Sequence, residues 1–175
     1  MPVPPAEARS PVPAPGTPPP GTLLPEHYSG CYGCGRDVPG GLHLRVTTGE
    51  GLQVTGACTL TELHQGAPGL AHGGILAAAF DEVTGYLAPL LRRPAVTGRL
   101  EVDYRLPVPL GELRLAARCT AAAGRKVWAT AEAVLPDGRV AAEASALFVT
   151  VAAEHFERHR PASVAAPLVP TGFGP

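Results

Sequence analysis

Short runs in which apolar and polar residues alternate fill the middle of the chain, and one stretch with a helical period interrupts them. Leu42, Leu44 and Val46 alternate with His43, Arg45 and Thr47. Leu52, Val54, Gly56 and Cys58 alternate with Gln53, Thr55 and Thr59, and Gly49-Glu50-Gly51 between the two runs suits a hairpin turn. Leu76, Phe80, Val83 and Leu87 then recur three or four apart, the apolar stripe of a helix that Pro89 and Pro94 end. Four more alternating runs follow, over 96–106, 113–119, 127–135 and 140–151, with Pro136-Asp137-Gly138-Arg139 turning the chain before the last.

Two strands, one long helix and four strands predict an α+β domain. Its central helix is wrapped by one curved antiparallel sheet of about five to six strands, the hotdog architecture. One helix covers one sheet face thinly, which favours a dimer. The domain is expected over 23–158, between a proline-rich N-terminal tail (1–22) and a C-terminal tail (159–175). Runs such as Pro18-Pro19-Pro20 carry almost no large apolar side chains. They bury too little surface to offset their ordering entropy and read as disordered or polyproline.

The 175 residues suffice for one domain; 45% are apolar, 17% are charged and the net charge is −1. That balance gives no electrostatic attraction to nucleic acid or an acidic membrane, although a local patch suffices for a partner with a few phosphates. The N-terminus lacks the basic and apolar regions of a signal peptide. The 75–91 run, interrupted by Asp81, Glu82 and Pro89, is too short and too charged to span a membrane. A cytoplasmic location is expected. Cys31 and Cys34 form a lone CxxC, which reads as half a zinc site, a redox pair or a tight turn. A zinc site needs further ligands, for which His27, His43 and Cys58 are scattered candidates, and no thioredoxin-like strand leads into the motif. The preferred reading is a turn with two small apolar side chains, with no metal and no cofactor.

The stretch APGLAHGGILAAAFDEVTGYLAPLL (67–91) is the most informative. A small-residue turn, His72-Gly73-Gly74, opens an apolar helix in which Asp81 and Glu82 are the only charges before Arg92. Backbone amides at a helix N-terminus are unpaired donors, and Gly73 and Gly74 let a substrate approach them closely. The positions three, four and seven residues from Asp81 are Gly74, Ala77, Ala78, Thr84, Gly85 and Ala88, all small, which leaves room beside the carboxylate. An oxyanion donor and a carboxylate to activate water are the groups that hydrolytic attack on a carbonyl requires. The structural alternatives are a satisfied carboxylate at Asp81, a turn-shaping hydrogen-bonder at His72, and solvent-exposed loop residues at His64 and Gln65. Glu82 points to another face, as a solvated or interface residue or a backup base.

Three segments resemble the PaaI-type acyl-CoA thioesterases of the hotdog superfamily: CYGCGRDVPGGLHLRV (31–46), HQGAPGLAHGGILAAAFDEVTG (64–85) and GRKVWATAEAVLPDGRVAAEASALFV (124–149). The resemblance implies that Asp81 is the catalytic carboxylate, as general base or as nucleophile, and that the Gly73 amide polarises the carbonyl. It also implies that Thr97, donated by the other subunit, helps place the water, and that Gln65 stands near the amide many members carry before HGG. His72 and His64 complete the candidate catalytic set. Gly74, Arg99, Arg125 and Lys126 are candidates for holding acyl-CoA, the expected substrate, in a homodimer or homotetramer. Two other readings stay open: a hotdog enoyl-CoA hydratase or dehydratase, and a non-catalytic acyl-CoA-binding dimer.

Overall fold

A computed structural model describes residues 3–152, 154–159 and 161. Strands β1 (Arg45–Thr48) and β2 (Gln53–Leu60) form the expected hairpin, with Gly51 at φ 61° and Gly49 N–H donating to Gln53 O at 2.8 Å. A short 3-10 turn (Glu62–His64) leads into a small ribbon of β3 (Gln65–Ala67) and β4 (Leu70–Ala71), which the alternation did not signal. Helices α1 (Gly73–Gly85) and α2 (Leu87–Leu90) follow. Strands β5 (Ala95–Tyr104), β6 (Gly111–Ala123), β7 (Lys126–Val134) and β8 (Val140–Thr150) complete the sheet, and a short helix α3 (Glu154–Arg158) lies beyond it. The six strands run antiparallel in the order β1-β2-β6-β7-β8-β5 around α1, the hotdog fold.

The apolar stripe lies where its spacing predicts. Leu76, Phe80, Val83 and Leu87 are all buried, and Phe80 and Val83 are fully so. Each such side chain contributes about 1.5–3 kcal/mol by leaving water. The helix breaks at Gly85–Tyr86 because Pro89, inside α2, has no N–H to give to the carbonyl four residues back and its ring crowds that carbonyl. Thr84, counted with the small face of Asp81, belongs to the core instead. It is fully buried, and its hydroxyl donates to Phe80 O at 2.7 Å.

The first predicted strand is only partly a strand. Leu42 and Leu44 are buried as the alternation requires, but their N–H groups donate to Tyr32 O and Gly33 O at 2.9 and 2.8 Å. The loop around the two cysteines takes the place of a partner strand here, and His43 turns the chain at φ 49°.

The two sheet edges differ. Beside β1 the N-terminal segment continues the sheet edge, with Leu24 N–H on Val46 O (2.8 Å) and Thr48 N–H on Thr22 O (3.0 Å). The proline-rich stretch itself is bonded at intervals, Arg9 to Ala122 and Ala14 N–H to Leu90 O, yet Val3 and Val12 stay exposed and none of its side chains joins the buried core. The C-terminal stretch read as a tail lies almost entirely outside the described residues. At the other edge, β5 has no neighbouring strand on its outer side among the described residues, and none of its ten residues is fully buried. No helix among the described residues is long and apolar enough to cross a membrane.

Candidate active site

His72 caps α1. Its Nδ1 accepts from Gly74 N–H at 2.9 Å, and its carbonyl accepts from Ile75 and Leu76 N–H at 2.9 and 3.3 Å. An acceptor Nδ1 is the unprotonated nitrogen of a neutral ring. Of the first four helical N–H groups, which lack partners in any helix, only that of Gly73 then has no partner among the described residues. His72 thus has the turn-shaping role, and it selects which amide remains for a ligand. His72→Ala is expected to cost about 1 kcal/mol of stability by removing the cap. His72→Asn, which keeps an acceptor there, is expected to retain most of the activity. A folded Asn variant without turnover in a thiol-release assay would return His72 to acid–base chemistry.

Asp81 is exposed in the single chain, and its Oδ1 accepts a 2.7 Å hydrogen bond from the Thr97 hydroxyl of the same chain. Within one chain the Thr97 hydroxyl thus orients the carboxylate. Simple alternation puts Thr97 on the polar face with Arg99, Glu101 and Asp103. A bulge resets it: Thr97 pairs with Phe148 and Arg99 with Leu147, leaving Gly98 as the extra residue. Thr97 and Tyr104, an odd number of residues apart, therefore both reach α1. The Tyr104 hydroxyl donates to Gly73 O at 2.8 Å. Alternation gave Tyr104 an apolar place in its strand, and nothing in the sequence linked it to Gly73.

Other candidates separate. His64 is buried, and both ring nitrogens are engaged: Nδ1 accepts from Thr61 N–H at 2.9 Å and Nε2 meets Gly40 O at 3.1 Å. That overturns its solvent-exposed reading and gives both ring nitrogens structural partners. Gln65 is exposed on β3 and holds its own ribbon, its Oε1 accepting from Gly69 N–H at 3.3 Å. Gly74 is exposed beside Gly73, its N–H taken by the cap. Arg99 pairs with Glu101 on the strand surface. Arg125 and Lys126 are exposed at the β6–β7 turn, where Arg125 Nε donates to Thr150 O at 3.2 Å. Lys126 faces Val149, which on its other side faces Val96, so this turn lies at the Thr97 end of the sheet. Two strand spacings, about 10 Å, separate it from β5.

Glu82 is neither solvated nor a spare base. It faces the cysteine loop: its Oε1 lies 3.0 Å from His27 Nδ1, and its Oε2 accepts from Cys31 Sγ at 3.5 Å. Cys34 joins the group, whereas His43 bonds Gly35 O through Nδ1 (2.8 Å) and Cys58 is buried on β2. Burial alone would lower the pKa of His27, but the Cys31 side chain and the Glu82 carboxylate outweigh it and raise it to about 9. Cys31 is held well below the usual thiol range, first by a hydrogen bond from Cys34, whose own thiol is pushed up. The turn is there, as the spacing suggested, but its cysteines are part of a four-residue polar cluster.

Residues 68–142 match the family model described as Thioesterase superfamily. Acyl-coenzyme A thioesterase THEM4 of Xenopus laevis is 36% identical over 87 residues, which are 49% of this chain and 39% of that protein. The solved structure of the thioesterase superfamily protein RHA08564 aligns with a TM-score of 0.58 and 31% identity, over 61% of this chain and 53% of that one. The PaaI protein of E. coli aligns with a TM-score of 0.60 and 17% identity, over 63% and 81%, a likeness of fold. The chain thus spans about two fifths of the first relative and about half of the second.

Proposed function

We propose that the chain, whose residues 68–142 match the thioesterase superfamily model, hydrolyses acyl-CoA, or a related acyl thioester, to free acid and thiol. The observation that carries this reading is the Gly73 N–H. It is left over at the α1 N-terminus after His72 satisfies its neighbours, on the same helix as a carboxylate already oriented by a hydroxyl. The helix dipole adds to that amide as a donor for a developing oxyanion. Asp81 acts on the attacking water as general base, or on the carbonyl as nucleophile, and Thr97 fixes which carboxylate oxygen faces the substrate. Arg125 and Lys126, exposed at the β6–β7 turn, are the proposed partners of the CoA phosphates.

One chain does not make one site. Gly73 and Asp81 are eight residues apart, about 12 Å of helical rise. A thioester carbonyl needs the donor and the activated water each at about 3 Å. The pair therefore has to be completed by a second copy, with Gly73 of one chain meeting Asp81 of its partner. A two-fold axis makes both such sites at once, because a contact from i to j is repeated from j to i. The open β5 edge, which carries Thr97 and Tyr104, is the surface suited to that pairing. The homodimer is thus part of the proposal and not an addition to it.

The test is release of free thiol from a panel of saturated, aryl and enoyl acyl-CoAs. Thiol release supports the proposal and names the acyl class. Hydration of an enoyl-CoA without thiol release would favour the hydratase, and tight binding without any reaction the non-catalytic dimer.

A further inference from the structure

We propose that His27, Cys31, Cys34 and Glu82 form a structural zinc site that fastens the N-terminal segment to α1. One ligand atom from each residue lies within 4.8 Å of all the others. In a tetrahedral site with bonds of about 2.0–2.3 Å, donors stand about 3.3–3.8 Å apart. Closing the present cluster by about 1 Å, a matter of side-chain torsions, meets that requirement. Two thiolates, an imidazole and a carboxylate are a donor set that suits zinc, and four protein donors leave no open position, as in structural and not catalytic sites.

The backbone is arranged for this as well. Cys34 Sγ accepts from His27 N–H at 3.1 Å. Such bonds to sulfur favour the thiolate, which is the form that binds metal. Gly33 lets the loop approach α1, since a Cβ there would overlap the Glu82 carboxylate. Glu82 Oε1 is buried and faces His27 Nδ1 at 3.0 Å. His27 is held on its other side by its stack on Tyr86, with ring centroids 4.3 Å apart. Because Glu82 adjoins Asp81 in sequence but faces the other way, the ion would brace the catalytic helix from behind and take no part in chemistry.

The experiment is elemental analysis of the full chain purified under reducing conditions, followed by chelator treatment and titration with Co(II). The expected results are about one zinc per chain and thiolate-to-cobalt charge-transfer absorption on titration. Stripping should lower Tm by about 10 °C, the shift for a ligand held at about 1,000 times its Kd, and zinc should restore it. The Cys31→Ser/Cys34→Ser double variant should lose the absorption entirely. Glu82→Gln, which keeps the fold's shape at α1, should weaken Co(II) uptake while leaving thiolate bands. Metal-free protein that takes up no Co(II) overturns the proposal, and a Cys31–Cys34 disulfide by mass would then identify a redox pair. Uptake that survives the double cysteine variant overturns it equally.

Discussion

Replacing Asp81 with Asn is expected to lower kcat for thioester hydrolysis by about 10²–10⁴-fold, the range for loss of a positioned general base, and a lost nucleophile would be no milder. The substitution is nearly isosteric. The Thr97 hydroxyl still finds an oxygen acceptor at 2.7 Å, and the site is exposed in the single chain, so folding has little stake in the charge. Thermal unfolding of the variant should therefore match that of the wild type while thiol release collapses. A carboxylate that merely satisfied a dimer interface would give the reverse, a shifted Tm or a broken dimer with turnover intact. Variants in the stripe cannot make this distinction: Phe80→Ala costs about 3–5 kcal/mol out of a total stability of about 5–15 kcal/mol.

Gly73→Pro is expected to lower kcat by about 10²–10³-fold, or about 3–4 kcal/mol, the loss for one oxyanion donor. A backbone amide is seldom open to mutation, but here the geometry permits it. Proline is favoured at the first helical position, where its missing N–H is not needed by the helix. His72 at φ −71° and ψ 138° already has the extended conformation that a residue before proline requires. Gly73→Ala is the control, because it adds a Cβ, 3.4 Å from Tyr104 Cζ, and keeps the N–H. High activity in the alanine variant with loss in the proline variant assigns the effect to one hydrogen-bond donor. Equal loss in both would assign it to crowding at Tyr104.

Much of the fold was legible because its signals are local and periodic. Strands β2 and β5 to β8 follow alternation, and α1 follows a stripe that the structure buries at all four positions. The turns predicted at 49–51 and 136–139 sit where Gly51 and Gly138 take positive φ. What alternation could not carry were departures from period two and contacts distant in sequence. The bulge at Gly98 moves Thr97 to the helix side, and one inserted residue in a ladder leaves no trace in the pattern of side chains. Leu42 and Leu44 read as strand because they alternate in burial, yet their hydrogen bonds go to the cysteine loop. The carboxylate and HGG were conspicuous as polar and small residues in an apolar run. The Tyr104–Gly73 and Glu82–Cys31 contacts join residues 31 and 51 positions apart, and no spacing rule reaches that far. CxxC showed two cysteines, but the other half of their cluster depends on how the N-terminal segment is laid against α1.

The most direct measurement of the composite site is subunit complementation. Asp81→Asn and Gly73→Pro proteins would be co-expressed and thiol release compared with each variant alone. If Gly73 of one chain serves Asp81 of its partner, every mixed dimer has one intact site and one doubly defective site. Random pairing makes half of the dimers mixed, so about a quarter of wild-type activity should return from two inactive parents. A mixture as inactive as either variant alone, with mixed dimers present by mass, would contradict a site shared between two copies.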